Sequence, residues 1–167
     1  EDVLMRQQGY IRDGGRWRTK QEVAIAMAVK QVEEEEIQWR VKILRWESLI
    51  LRNRPNAAEA LTGIREIRDY RATKTLAERL NEPKLPRDMK LMYLDVLTQI
   101  GGAVPVEAML KCISNDPDDV LRHRCLDQLR LWQSRRAMTF FVSLLSSNDN
   151  QRVNSGGYAL GELGMHD

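Results

Sequence analysis

Between residues 56 and 167, apolar side chains recur every 31 to 33 residues, and this period constrains the fold more than any other feature of the chain. Leu61, Leu94 and Leu126 correspond. So do Ile64, Leu97, Leu129 and Leu160, and then Ile67, Ile100, Trp132 and Leu163. A second set, Leu76/Leu80, Met109/Ile113 and Phe141/Leu145, repeats at the same distance. Two apolar sets per period describe a two-helix unit, and about three and a half units are present. A single unit has an apolar face too large to bury alone. The units must therefore stack, which predicts an all-α fold of the α-α superhelix, or solenoid, type.

Helix punctuation divides the repeats. Asn56-x-x-Glu59 and Asn148-x-x-Gln151 have the form of capping-box starts, and Asp116-Pro117 reads as a cap followed by Pro at the first helical position. Pro86 and Pro105 mark two further starts, Gly101-Gly102 suits a helix end, and Ser134 can cap the helix carrying Phe140 and Phe141.

Ahead of the repeats, Asp13-Gly14-Gly15 has the composition of a tight turn, with Tyr10-Ile11 before it and Trp17 after. Thr19 and Glu22 then form a capping box. From Lys20 to Arg54 there is no Gly and no Pro, and Pro55 ends the run. That predicts one helix on the order of 50 Å long. The expected organisation is a turn or hairpin at 1–19, a long helix at 20–55 and repeats at 56–167.

On the long helix, Ile25, Val29, Val32, Glu36, Trp39, Ile43, Trp46 and Ile50 follow a heptad seam broken once by Glu36. Ile37, Val41, Leu44 and Leu51 form a second row on another face. A helix apolar on two faces needs two things to pack against. One is the chain's own core, or both faces lie within it; the other is a second copy or a protein partner. Trp39, Ile43, Trp46 and Ile50 are accordingly the first candidates for a packing or self-association seam. The acidic run Glu33–Glu36 carries the helical pairs Lys30–Glu34 and Glu36–Arg40, which favours a solvated face over a metal site.

Two segments, Asn115-Asp116-Pro117-Asp118-Asp119-Val120-Leu121-Arg122 and Tyr158-Ala159-Leu160-Gly161-Glu162-Leu163-Gly164, resemble HEAT-like repeats of the bilin-lyase type. The pattern there is a D-P-x-x-x-V-R start and an A-L-G-x-L-G helix end. The likeness covers roughly residues 56–167 and departs at Asn154, Gly156 and Gly157, where the pattern prefers Arg and Ala. Adjacent Gly within a helix implies either close backbone packing or a frayed end. The element Gly9-Tyr10…Gly15-x-Trp17-x-Thr19-x-x-Glu22 resembles a short motif of bacterial proteins of unknown function, many of them exported. The resemblance to HEAT-like repeats implies a protein-interaction or scaffolding role without chemistry. HEAT-like DNA glycosylases suggest nucleic-acid binding as an alternative, and bilin lyases suggest a tetrapyrrole enzyme as another.

Chemistry-bearing residues are sparse. Two Cys and two His exclude a Cys/His-rich metal site made by this chain alone. Cys112 and Cys125 read as small buried hydrophobes, with contact between adjacent helices as the alternative. His123 stands between Arg122 and Arg124, and His166 is near the chain end. No catalytic, cofactor-binding or metal-ligating residue is assigned. Charge is nearly balanced, at 26 Lys+Arg against 24 Asp+Glu, yet unevenly spread. Residues 37–80 carry ten cations against five carboxylates, whereas residues 81–121 carry four against seven. Arg65, Arg68, Arg71 and Arg79, with Arg135 and Arg136, are candidates for a basic surface. Outward residues of the second helices, Glu107, Lys111, Arg135 and Arg136, are further candidates for a binding face. No apolar run is long enough to span a bilayer. The chain opens on Glu1 rather than Met, so it is expected to be part of a larger bacterial protein, exported if the parent carries an upstream signal.

Overall fold

The computed structural model describes residues 5–6 and 9–164. His166 lies outside the described residues. Strands β1 (Tyr10–Asp13) and β2 (Arg16–Thr19) pair antiparallel, with Tyr10 opposite Thr19 and Asp13 opposite Arg16. Gly14 and Gly15, at φ +54° and +83°, supply the left-handed pair that a two-residue hairpin turn requires. The expected capping box starts helix α1 (Lys20–Leu51): Glu22 N donates to Thr19 Oγ1 at 3.1 Å, and Thr19 N donates to Glu22 Oε2 at 2.6 Å. The helix stops at Leu51, before Pro55, through Asn53 in the left-handed region.

The remaining helices are α2 (Ala57–Arg65), α3 (Thr73–Leu80), α4 (Arg87–Ile100), α5 (Ala103–Asn115), α6 (Asp119–Leu131), α7 (Arg135–Leu145) and α8 (Asn150–Glu162), with a 3-10 turn at Tyr70–Ala72 before α3. Among the described residues the protein is thus mostly helical, with eight α-helices and one two-stranded hairpin. None of those helices is long and apolar enough to cross a membrane.

Sequential helices pack as pairs: α1 on α2, α3 on α4, α5 on α6 and α7 on α8. Across pairs, α1, α3, α5 and α7 contact one another in order, as do α2, α4, α6 and α8. The C-terminal half of α1 therefore heads one row of helices. The repeated positions fill the space between the rows. Ile64, Leu97 and Leu129 are fully buried at equivalent positions, as are Leu76, Met109 and Phe141. At the last pair the pattern opens: Leu80 is fully buried, while its equivalent Leu145 is 44% exposed.

Several helix starts differ from expectation. Asp118, not Asp116, caps α6, accepting from Val120 N and Leu121 N. Asp116 is instead the buried partner of Lys90, at 2.5 Å, and also receives Asp118 N. A lysine on α4 without a carboxylate there would be an unpaired buried charge, so Asp116 is committed before it can cap. Helix α8 is capped by Asp149 rather than Asn148. Asn56 precedes α2 without a side-chain cap, while Pro105 lies in the first turn of α5, at a helix start as expected. Pro86 and Ser134 start α4 and α7 as expected, and Gly101 and Gly102, both at positive φ, separate α4 from α5.

Candidate functional site

Helix α1 positions four of the candidate residues on its inner face. Ile43 is fully buried, and Trp39, Trp46 and Ile50 pack half-buried against the core. The Trp39 indole donates from Nε1 to Asp69 Oδ2 at 3.1 Å, and Asp69 also receives Arg71 Nε and Nη2 at 2.8 and 2.7 Å. Arg71 in turn pairs with Glu35 on α1. The Trp46 ring lies over Gly63 of α2, where a Cβ would sit 2.8 Å from ring carbon Cζ2. Gly63 is thus the residue that lets the two helices approach. All four pack against the core of their own molecule. Ile43, with no exposed surface, offers nothing to a second copy.

The pairs expected along α1 run elsewhere too. Glu36 faces Lys74 at 3.4 Å and Arg40 pairs with Glu78, both across to α3, while Lys30–Glu34 forms at 3.8 Å. The break in the seam at Glu36 is therefore the polar edge of a helix interface.

A buried network absent from the sequence-level candidates ties the same helices together. Glu47 on α1 receives Arg79 Nε at 2.9 Å and Nη2 at 2.8 Å, and Tyr93 Oη at 2.7 Å. Burial first, then the bond to Glu47, push the Tyr93 phenol well above its ordinary pKa. Its proton stays on oxygen and donates to the carboxylate. The available signal was Glu47 itself, four residues after Ile43 on the apolar face, where a carboxylate demands a partner.

The outer side of α1 is open. Ile37 and Val41 are 61% and 62% exposed and, with Gln38, Trp46, Leu49 and Ala60, line a groove of about 700 Å³ between α1 and α2. Lys42 and Arg45 form its basic side, and Asn56 and Glu59 its α2 side. Lys42 Nζ stands 4.9 and 4.7 Å from the ring centroids of Trp39 and Trp46, held by cation–π attraction.

Glu107 and Lys111 come together on a second groove, of about 360 Å³, between α3 and α5. Its floor is Ala77, Ala103 and Ala108 beside the exposed Val104. Arg136 reaches back from α7 to Glu107, Nε to Oε1 at 2.6 Å, and Arg135 is exposed beside it. The other proposed basic surface largely dissolves into local bonds. Arg71 and Arg79 are paired as described, and Arg68 donates to the carbonyls of Arg65 and Ile67.

Between α6 and α8, His123 and Tyr158 share a cleft of about 480 Å³ with Gln151 and Asn154. His123 Nδ1 is 2.7 Å from the Asp119 carbonyl, which can only accept, so Nδ1 donates there, and Nε2 lies 2.7 Å from Tyr158 Oη. Cys112 and Cys125 are free thiols without exposed surface. Their mutual hydrogen bond, then burial, raise the Cys125 pKa far above that of an ordinary thiol, which opposes thiolate chemistry. Among the described residues no three His, Cys, Asp or Glu side chains are placed to hold a metal ion. No family model, curated protein or solved structure matches the chain.

Proposed function

We propose that this chain is a HEAT-like helical-repeat module that binds or scaffolds a protein partner without chemistry of its own. The repeat reading is supported by equivalent positions with equivalent burial: Ile64, Leu97 and Leu129 at 0% and Leu160 at 9% exposure. Stacked pairs of this kind offer long surfaces between neighbouring helices. The observation that carries the functional reading is the pairing of large exposed apolar side chains with grooves, Ile37 and Val41 beside α2 and Val104 between α3 and α5. Contiguous exposed apolar walls of this sort mark interaction surfaces.

The test is photo-cross-linking in the organism that makes the protein. A photoreactive amino acid is placed at Val41, at Val104 or, as control, at the exposed loop residue Asn148. The proposal expects a discrete protein adduct, identified by mass spectrometry, from one or both grooves and none from Asn148. Equal labelling from all three positions, or from none, would discard the interaction reading.

A further inference from the structure

Resting on that reading, we infer that the groove between α1 and α2 takes an acidic amphipathic helix. The groove lies on the outer side of the α1–α2 pair, and among the described residues no other helix pair packs over it. Inner helices are covered on both sides by neighbours of the same row; α1 and α2 are covered on one. Its walls carry Ile37, Val41, Trp46 and Leu49, so an occupant must bring apolar side chains at helical spacing.

Charge selects the rest of the occupant. Of the α1 carboxylates, Glu35, Glu36 and Glu47 are consumed inward by Arg71, Lys74 and Arg79, Glu34 pairs with Lys30 along the helix, and none lines the groove. Arg45 has no carboxylate partner among the described residues, and Lys42 is held only by the two indole rings. Arg52 and Arg54 lie on the connector joining the two walls and are likewise without an ion pair among those residues. The groove lining itself carries two cations, Lys42 and Arg45, against one carboxylate, Glu59. Phosphate backbone would satisfy the cations and leave the apolar wall uncovered. An acidic helix with one apolar face satisfies both.

The full chain is titrated by fluorescence anisotropy with a labelled peptide of about five turns, carrying Leu along one face and Glu along its flanks. Three comparison probes are the same peptide with Ser for Leu, the same peptide with Lys for Glu, and a DNA duplex. The Leu/Glu peptide should bind with a dissociation constant in about the micromolar range, weaken as salt rises and shift the emission of Trp46. Val41→Asp should weaken it about tenfold or more. Arg45→Glu should weaken it by about fivefold and improve binding of the Lys-flanked peptide. Both positions are at the surface, so far-UV circular dichroism and melting of the variants should match the parent.

Equal binding of the Leu/Glu and Ser/Glu peptides would overturn the inference, as would no binding up to about millimolar peptide. Duplex binding lost in Arg45→Glu but kept in Val41→Asp would overturn it in favour of nucleic acid. Adducts from Val104 without any from Val41 would refute this groove while leaving the interaction reading intact.

Discussion

Gly156 and Gly157 are neighbours on one helix with opposite surroundings, so replacing each by Ala separates packing from helix propensity. A Cβ at Gly157 would meet only Leu145 Cδ2, at 4.0 Å, an ordinary contact. A Cβ at Gly156 would stand 2.9 Å from the backbone oxygen of Phe141 and 2.9 Å from Leu144 Cβ. Phe141 is 1% exposed and fixed in the core, so α7 cannot easily retreat. Both replacements gain about 1 kcal/mol of intrinsic helix stability. That gain cancels when the two variants are compared, leaving the steric cost alone. Overpacking of this kind costs about 1–3 kcal/mol. Gly157→Ala should thus be more stable than the parent and Gly156→Ala less stable than Gly157→Ala by that difference, or about 2–4 °C in Tm per kcal/mol. Urea unfolding followed by circular dichroism measures it, with an unchanged m-value showing that the transition is comparable. Equal stabilities within about 0.3 kcal/mol, or a more stable Gly156→Ala, would mean that α7 and α8 do not meet at Gly156.

Three further outcomes are expected. Tyr93→Phe removes the hydroxyl that donates to Glu47 and should cost about 1.5–3 kcal/mol in urea unfolding; no loss would show that the bond does not form. Gly63→Ala should lower stability and shift tryptophan emission, because the new methyl meets the Trp46 ring; a silent variant would place Trp46 elsewhere. The bond from Arg87, chiefly, then those from Leu121 N and Val120 N, hold Asp118 below the ordinary carboxylate value near 3.8. A carboxylate depressed in the folded state contributes stability above its unfolded pKa and loses it as pH falls through the folded one. Asp118→Asn keeps a good cap and removes the charge, so the Tm gap between parent and variant should be present at neutral pH and close in strong acid. A gap that persists there would mean that charge is not the cause.

The elements set by local rules were legible in the residues: the hairpin from Gly14-Gly15, the start of α1 from Thr19 and Glu22, and the seven helices after α1 from the apolar period. What escaped depends on which chain segment reaches which. Asp116 looks like a cap until Lys90, 26 residues earlier, is known to lie beside it. Glu47, four residues after Ile43 on the apolar face, demands a partner, but which partners, Arg79 and Tyr93, depends on how the later helices close on it. Of the two readings of the Gly pair, close packing holds at Gly156, and α8 runs on through Gly157 to Glu162. Gly156 is the close approach, at the register position of the small, buried Cys125, whereas a side chain at Gly157 would meet only Leu145. Among the described residues no buried side-chain nitrogen or oxygen lacks a hydrogen bond, so each such long-range partner was required rather than optional.

The placement of α1 also explains a charge pattern that composition alone hides. The helix turns Glu35, Glu36 and Glu47 toward the cations of the next segment, Arg71, Lys74 and Arg79. Only Arg40 runs the other way, to Glu78. Docking therefore withdraws negative charge from one side of α1 and leaves Lys42 and Arg45 on the other beside Ile37 and Val41. A chain with a formal net charge of only +2 acquires a locally basic apolar groove as a by-product of how its first helix is held. The same ion pairs link the two properties. If Arg79 is replaced, Glu47 is left buried without its cation and the docking of α1 on α3 loosens, so groove affinity and fold stability should fall together. Val41→Asp, which touches only the outer face, should separate them.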